Sequence, residues 1–225
     1  MDARRELRPR RHLEIEGADN VRDVGGYPTL DGRRTRWKTF LRADSLHRLP
    51  AASQRTLIDY GIRTVIDLRS TSEIERAPNV FAGSSEVAYY HEDAYGGQPP
   101  PKVATPESRG NVQRILDTYV GILEHRPSQV RRTLATLAEP GALPAVVHCV
   151  GGQDRTGRIT ALVLGIAGVQ PDTIAEDYAL TARYLVASYN AEQAALDTSG
   201  IAAKSLVLEI TENALMTNLA QVSDN

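Results

Sequence analysis

PAVVHCVGGQDRTGRITALVLGIAG, Pro144 to Gly168, runs from a short apolar segment through a glycine-bearing turn into a longer apolar stretch. PAVVHC reads as a short buried strand and GRITALVLGIAGV as a buried helix. Its apolar run, Ile159 to Val169, falls short of the roughly 20 residues needed to cross a bilayer. Strand, glycine loop and helix in that order turn successive backbone N–H groups inward and add the positive end of the helix. The product is an anion cradle sized for a phosphate-like group. The glycines belong there because a backbone wrapped closely round a ligand needs unusual dihedrals.

Cys149 is the only cysteine of the chain, and the loop puts it at the floor of that cradle. Helix-end field, inward N–H groups and a nearby guanidinium all favour thiolate over thiol. His148 is expected to orient local backbone and not to act as a base. Arg155 can reach back over the loop and grip two oxygens bidentately. Val150, Gly151, Gly152, Gln153, Asp154 and Arg155 form the expected phosphate-binding segment. Thr156 is placed to hydrogen-bond the sulfur. The set supplies a nucleophile with its own oxyanion clamp, which suits phosphoryl transfer, a reaction governed by positioning and charge stabilisation. The spacing from Cys149 to Arg155 is a weak signal alone, since the chain holds 23 arginines against three lysines. The strand before it and the apolar helix after it make the signal specific.

Outward from this segment the chain alternates strands with helices. Gly25 to Asp44 shows two extended stretches around Asp31-Gly32, a hairpin signal. AASQRTLIDYG has helical spacing and stops at Gly61. RTVIDLRS and Val87 to His91 read as strands. VQRILDTYVGILEH and PSQVRRTLATLAE read as helices, the second with Pro127 in its first turn. PDTIAEDYALTARYLVASYNAEQAAL and ITENALMTNLAQV also read as helices. The class is therefore α/β, a mainly parallel central sheet flanked by helices. Residues 94–110 are too irregular for regular structure and are expected to form a mobile rim or lid of the site.

At 225 residues, 41% hydrophobic and 24% charged, the chain can bury a core. Residues 20–225 are expected to form a single domain, helical from about 171. Residues 1–19, with five arginines between Arg4 and Arg11, read as a flexible basic arm. A net charge of −2 opposes nucleic acid as a partner. One cysteine excludes an internal disulfide framework and multi-cysteine zinc sites. His91-Glu92-Asp93 is too short a cluster for a metal, so none is expected. No secretory signal or membrane span is visible, and a cytoplasmic setting fits best.

His148 to Gly157 (HCVGGQDRTG) resembles the signature of the cysteine-dependent protein tyrosine phosphatase superfamily. It is most similar to a microbial tyrosine/serine phosphatase family with the loop His-Cys-x-x-Gly-Lys-Asp-Arg-Thr-Gly, from which it departs at Gln153. NVRDVGGYP, GIRTVIDLRSTSEIE and IAEDYALTARYL extend the resemblance over roughly Asn20 to Leu185. The resemblance implies a phosphatase-like fold and a phosphomonoesterase needing no cofactor. Cys149 would form a phosphocysteine, Arg155 would stabilise the transition state, and Asp154 would be the general acid. More distant relatives carry the acid on a separate loop, where Asp93 is the alternative. Arg22-Asp23 and Asp67-Arg69 are equally readable as site residues and as structural ion pairs. Arg158 reads as solvated or structural.

The loop reads the phosphate and not its carrier, so two substrates stay open: a phosphorylated protein, or a small phosphomonoester such as a sugar or nucleoside phosphate. Gln153 removes a positive charge expected at the rim and weakens the case for polyanionic lipids. A third reading, a phosphate-binding module without turnover, is opposed by the intact Cys149, Asp154 and Arg155.

Overall fold

A computed structural model describes residues 11–98 and 110–199. Four parallel strands build the sheet: β2 (Phe40–Ala43), β3 (Thr64–Asp67), β4 (Ala88–His91) and β5 (Ala145–His148). A two-residue strand, β1 (Arg22–Asp23), pairs antiparallel with β2, giving the order β1-β2-β5-β3-β4. The helices are α1 (Ala51–Tyr60), α2 (Thr71–Arg76), α3 (Gly110–His125), α4 (Pro127–Ala138), α5 (Asp154–Ile166) and α6 (Pro171–Ser199). The mainly parallel α/β architecture expected from the sequence is the one observed.

The two-residue period of a strand divides the core. Leu41, Ala43, Val65 and Val146 face one cluster, with Leu46, Leu57 and Phe81. Phe40, Ile66, Ala145 and Val147 face the other, with Ile159 and Leu164 of α5. The β5 alternation carries into the loop, so Cys149 follows Val147 onto the α5 side. His148 projects to the opposite face. Burying each large aliphatic side chain contributes about 1.5–3 kcal/mol, which makes β5, central and covered on both faces, a rigid base for the loop at its end.

Several boundaries reflect local chemistry. Gly61 stops α1 at φ 111°, in the left-handed region. Pro127 occupies the first turn of α4. α2 was not expected, although Ser70 and Glu73 form a full capping box at its start. The hairpin at Asp31-Gly32 is reduced to one bridge, Pro28 with Arg34. Its second limb is interrupted at Lys38, which adopts φ 54°, and resumes as β2 at Phe40.

The expectation of a free arm over residues 1–19 fails for Arg11 to Asp19. Leu13 and Ile15 pack against the core. Arg11 donates from Nη1 to the Asp23 carbonyl at 2.7 Å and lies 3.8 Å from the centre of the Tyr27 ring. Residues 1–10, most of the proposed lid (99–109) and the helix expected after Ile210 lie outside the described residues.

The chain divides into two compact units, Met1–Tyr178 and Ala179–Asn225. The described part of the second, Ala179 to Ser199, is entirely helical. Among the described residues no helix is long and apolar enough to cross a membrane.

Candidate active site

The loop after β5 is pinned from outside. Val150 O accepts from Ser45 N at 2.7 Å, and Gly151 O accepts from Asn20 Nδ2 at 2.9 Å. Gly152 O accepts from Arg42 Nη2 at 2.8 Å. In a trans peptide the next N–H points opposite its carbonyl. Three outward carbonyls therefore turn the N–H groups of Gly151, Gly152 and Gln153 to the concave side. Gly152 has φ 68°, and a Cβ there would collide with the Ala43 carbonyl. Neither demand suits another residue.

Cys149 is buried and free at the start of this loop. α5 begins at Asp154, so Asp154 and Arg155 fall in the first helical turn, earlier than the sequence pattern suggested. Arg155 donates from Nη1 and Nη2 to the two carboxylate oxygens of Glu73, at 2.6 and 3.0 Å. Burial opposes the charge on Arg155. The Cys149 sulfur and the Glu73 carboxylate outweigh it, and the guanidinium is held more firmly protonated than usual. Burial likewise opposes the charge on Glu73, but Arg155 and Ser70 hold its carboxyl below the usual range.

His148 is clamped at both ring nitrogens. Nδ1 donates to the Cys149 carbonyl at 3.0 Å, while Nε2 lies 2.8 Å from Asn79 Nδ2 and 3.4 Å from Asp67 Oδ2. Asp67 is buried and also accepts from Arg69 Nη2 at 2.7 Å. Burial pushes its carboxyl up, yet His148 and Arg69 together hold it far below the usual range. Asp67-Arg69 is thus a buried ion pair behind the loop. Arg22 pairs with Asp177 instead of its neighbour Asp23, and Arg42 Nη1 reaches the same Asp177 at 2.7 Å.

Two expectations need correction. Thr156 Oγ1 is buried without a hydrogen-bond partner, so the bond to the sulfur is not made. Gln153, at the position just before α5 and without a side-chain capping bond, is buried beside Tyr178 and is not a rim group. Of the two readings of Arg158 the structural one holds: it is buried, with its guanidinium 5.4 Å from the centre of the Tyr119 ring.

The two candidate acids differ in setting. Asp154 Oδ1 accepts from the hydroxyls of Tyr119 and Tyr178. Burial pushes the Asp154 carboxyl up, against the Tyr178 bond and the charges of Arg158 and Arg155. Asp93 is buried too, but both its oxygens are taken by backbone, Tyr95 N at 2.8 Å and Gly97 N at 2.9 Å. It shapes a turn. Together with Ser70, Ser72, Arg76, Tyr95 and Arg155 it lines a cleft of about 630 Å³ that opens beside the loop. Sequence reasoning gave no role to Ser45, Glu73, Asn79, Tyr119 or Tyr178. Of these only Glu73 carried a local signal, the Ser70-x-x-Glu73 cap.

Fold and site define an α/β protein in which a buried lone cysteine opens a glycine-bearing loop between a central strand and a helix. The chain belongs to the tyrosine phosphatase family, whose sequence model matches residues 13–225. It is 31% identical over 150 residues to a tyrosine-protein phosphatase of Nostoc commune, covering 65% of this chain and 49% of that protein. It is 30% identical over 190 residues to the triple specificity protein phosphatase PtpB of Mycobacterium tuberculosis, covering 73% and 67%. A crystal structure of P. aeruginosa TpbA in complex with phosphotyrosine shares 18% identity at a TM-score of 0.35, over 64% of this chain and 70% of that one. The matched region spans about half the length of the Nostoc relative and two thirds of the mycobacterial one.

Proposed function

We propose that the protein is a metal-independent phosphomonoester hydrolase working through a phosphocysteine, with phosphotyrosine in proteins as its main substrate and phosphoserine or phosphothreonine as further ones. The observation that carries this reading is the loop itself. Three outward-pinned carbonyls surround a buried lone cysteine, and an arginine is fixed at its edge. In the first step a Cys149 S–P bond forms and the P–O bond to the leaving group breaks, with a proton passing from Asp154 to the departing oxygen. In the second, water attacks phosphorus, the S–P bond breaks, and Asp154 takes the water's proton. Loop N–H groups and Arg155 hold the equatorial oxygens throughout, where charge accumulates.

Relatives named as protein phosphatases support the phosphoprotein substrate over a metabolite. We further place the protein in the cytoplasm, with no nucleic-acid partner. A reducing compartment suits a nucleophile without a second cysteine to protect it.

Turnover of p-nitrophenyl phosphate should survive EDTA, stop with vanadate, and vanish in Cys149→Ser while that variant still binds phosphate. Metal-dependent turnover, or full activity in Cys149→Ser, would overturn the mechanism. Higher kcat/KM for sugar or nucleoside phosphates than for phosphotyrosine peptides would transfer the substrate to the metabolite class.

A further inference from the structure

Tyr119 of α3 and Tyr178 of α6 come from distant parts of the chain, yet their hydroxyls lie 2.8 Å apart and both end on Asp154. Each donates to Oδ1, Tyr178 at 3.2 Å. Among the described residues no hydrogen bond engages Oδ2. Gly157 makes the approach possible, since a Cβ there would stand 2.6 Å from the Tyr178 ring. Asp154 is faced by Arg155 and Arg158 from its own helix, and Tyr178 by Gln153 and Arg42. Burial raises the Tyr178 hydroxyl well above its ordinary range, so it stays a donor at working pH.

We propose that Tyr119 and Tyr178 are positioning residues for proton transfer, holding Oδ1 so that Asp154 delivers and recovers its proton at Oδ2. The inference rests on Asp154 being the general acid. With two phenol donors on Oδ1, the acid proton resides on Oδ2, the oxygen left to meet the leaving group. As that proton departs, negative charge spreads onto Oδ1, and both bonds become charge-assisted and stronger. The gain is largest where the proton is in flight, so it lowers the barrier more than it stabilises the ground state. When water attacks the phosphocysteine, its proton returns to Oδ2 and the starting arrangement is restored.

Phenol donors favour the carboxylate over the acid, against the upward push of burial. Removing one raises the pKa of Asp154, so the protonated acid persists to higher pH and becomes a poorer donor. A purely structural role would predict neither change.

The test uses full-length Tyr119→Phe, Tyr178→Phe and the double variant beside Asp154→Asn, with p-nitrophenyl phosphate and phenyl phosphate across pH. Phenylalanine keeps the ring packing. On phenyl phosphate, whose leaving group needs the acid, each single variant should lose roughly tenfold in kcat/KM. On p-nitrophenyl phosphate the loss should be slight. The descending limb of the profile should move to higher pH by roughly one pH unit. Equal losses on both substrates with an unmoved limb would overturn the proposal while Asp154→Asn still discriminates between them. If Asp154→Asn itself slows both equally, the acid assignment falls and this inference falls with it.

Discussion

Arg155 has five N–H donors, and Glu73 takes one from each terminal nitrogen. Three donors remain, enough to hold two oxygens of a phosphate without releasing Glu73. The carboxylate therefore fixes the guanidinium plane before substrate arrives, and the side chain gives up less freedom on binding. Its second tie, from Ser70 N to Oε2 at 2.7 Å, anchors that plane to the start of α2. Glu73→Gln keeps the shape and removes the charge. We expect kcat to fall roughly ten- to a hundredfold, as for a misplaced catalytic group. KM should change little, because the loop N–H groups still receive the phosphate. Steady-state kinetics decides it, and an unchanged kcat would mean that the loop holds Arg155 unaided.

Among elements, the loop between β5 and α5 has its form imposed from elsewhere, and that governs what the sequence can disclose. β5, α5, the Gly61 stop and the Pro127 start were legible because each depends on residues close in sequence. Cys149, Arg155 and the glycines were legible for the same reason. The loop's anchors were not, since Asn20 and Arg42 stand 131 and 110 residues from the carbonyls they hold. Contacts of that range leave no local period to read. Nor does the pairing of Tyr119 and Tyr178, set by helices that meet only in the folded chain. α2 is a different case, because its capping box was present in plain sequence at Ser70 and Glu73. Gly152→Ala tests the imposed form directly. At φ 68° with the Ala43 carbonyl in the way, the variant must strain or shift the loop. It should lose about 1–3 kcal/mol of stability in urea, together with its vanadate affinity. Retained affinity would show that the cradle tolerates a displaced carbonyl.

Across the first compact unit, Asp177 ties β1, β2 and the loop to the beginning of α6. It accepts from Arg22 Nε at 3.3 Å, Arg42 Nη1 at 2.7 Å and the Tyr27 hydroxyl at 2.8 Å. Arg42 passes the connection on to Gly152. Burial pushes the Asp177 carboxyl up, but the two arginines and Tyr27 outweigh it and hold it below the usual range. A carboxyl lowered in the folded state contributes stability above its unfolded pKa and loses that contribution as pH falls through the folded value. Asp67, lowered in the same sense by His148 and Arg69, acts alongside it. Stability should thus be level near neutrality and fall below the ordinary carboxylate range. Asp177→Asn removes a buried carboxylate that two guanidinium groups share, at a cost of about 3–5 kcal/mol near pH 7. The variant should also show a shallower acid slope, because one of the lowered carboxyls is gone, with Asp67 and Glu73 remaining. Its kcat/KM should drop as well, since the Asp177 carboxylate helps to seat the Arg42 guanidinium that holds Gly152. Thermal unfolding of both proteins across pH reads the first two effects. An unchanged acid slope in Asp177→Asn would assign the acid sensitivity to the other lowered carboxyls, Asp67 and Glu73.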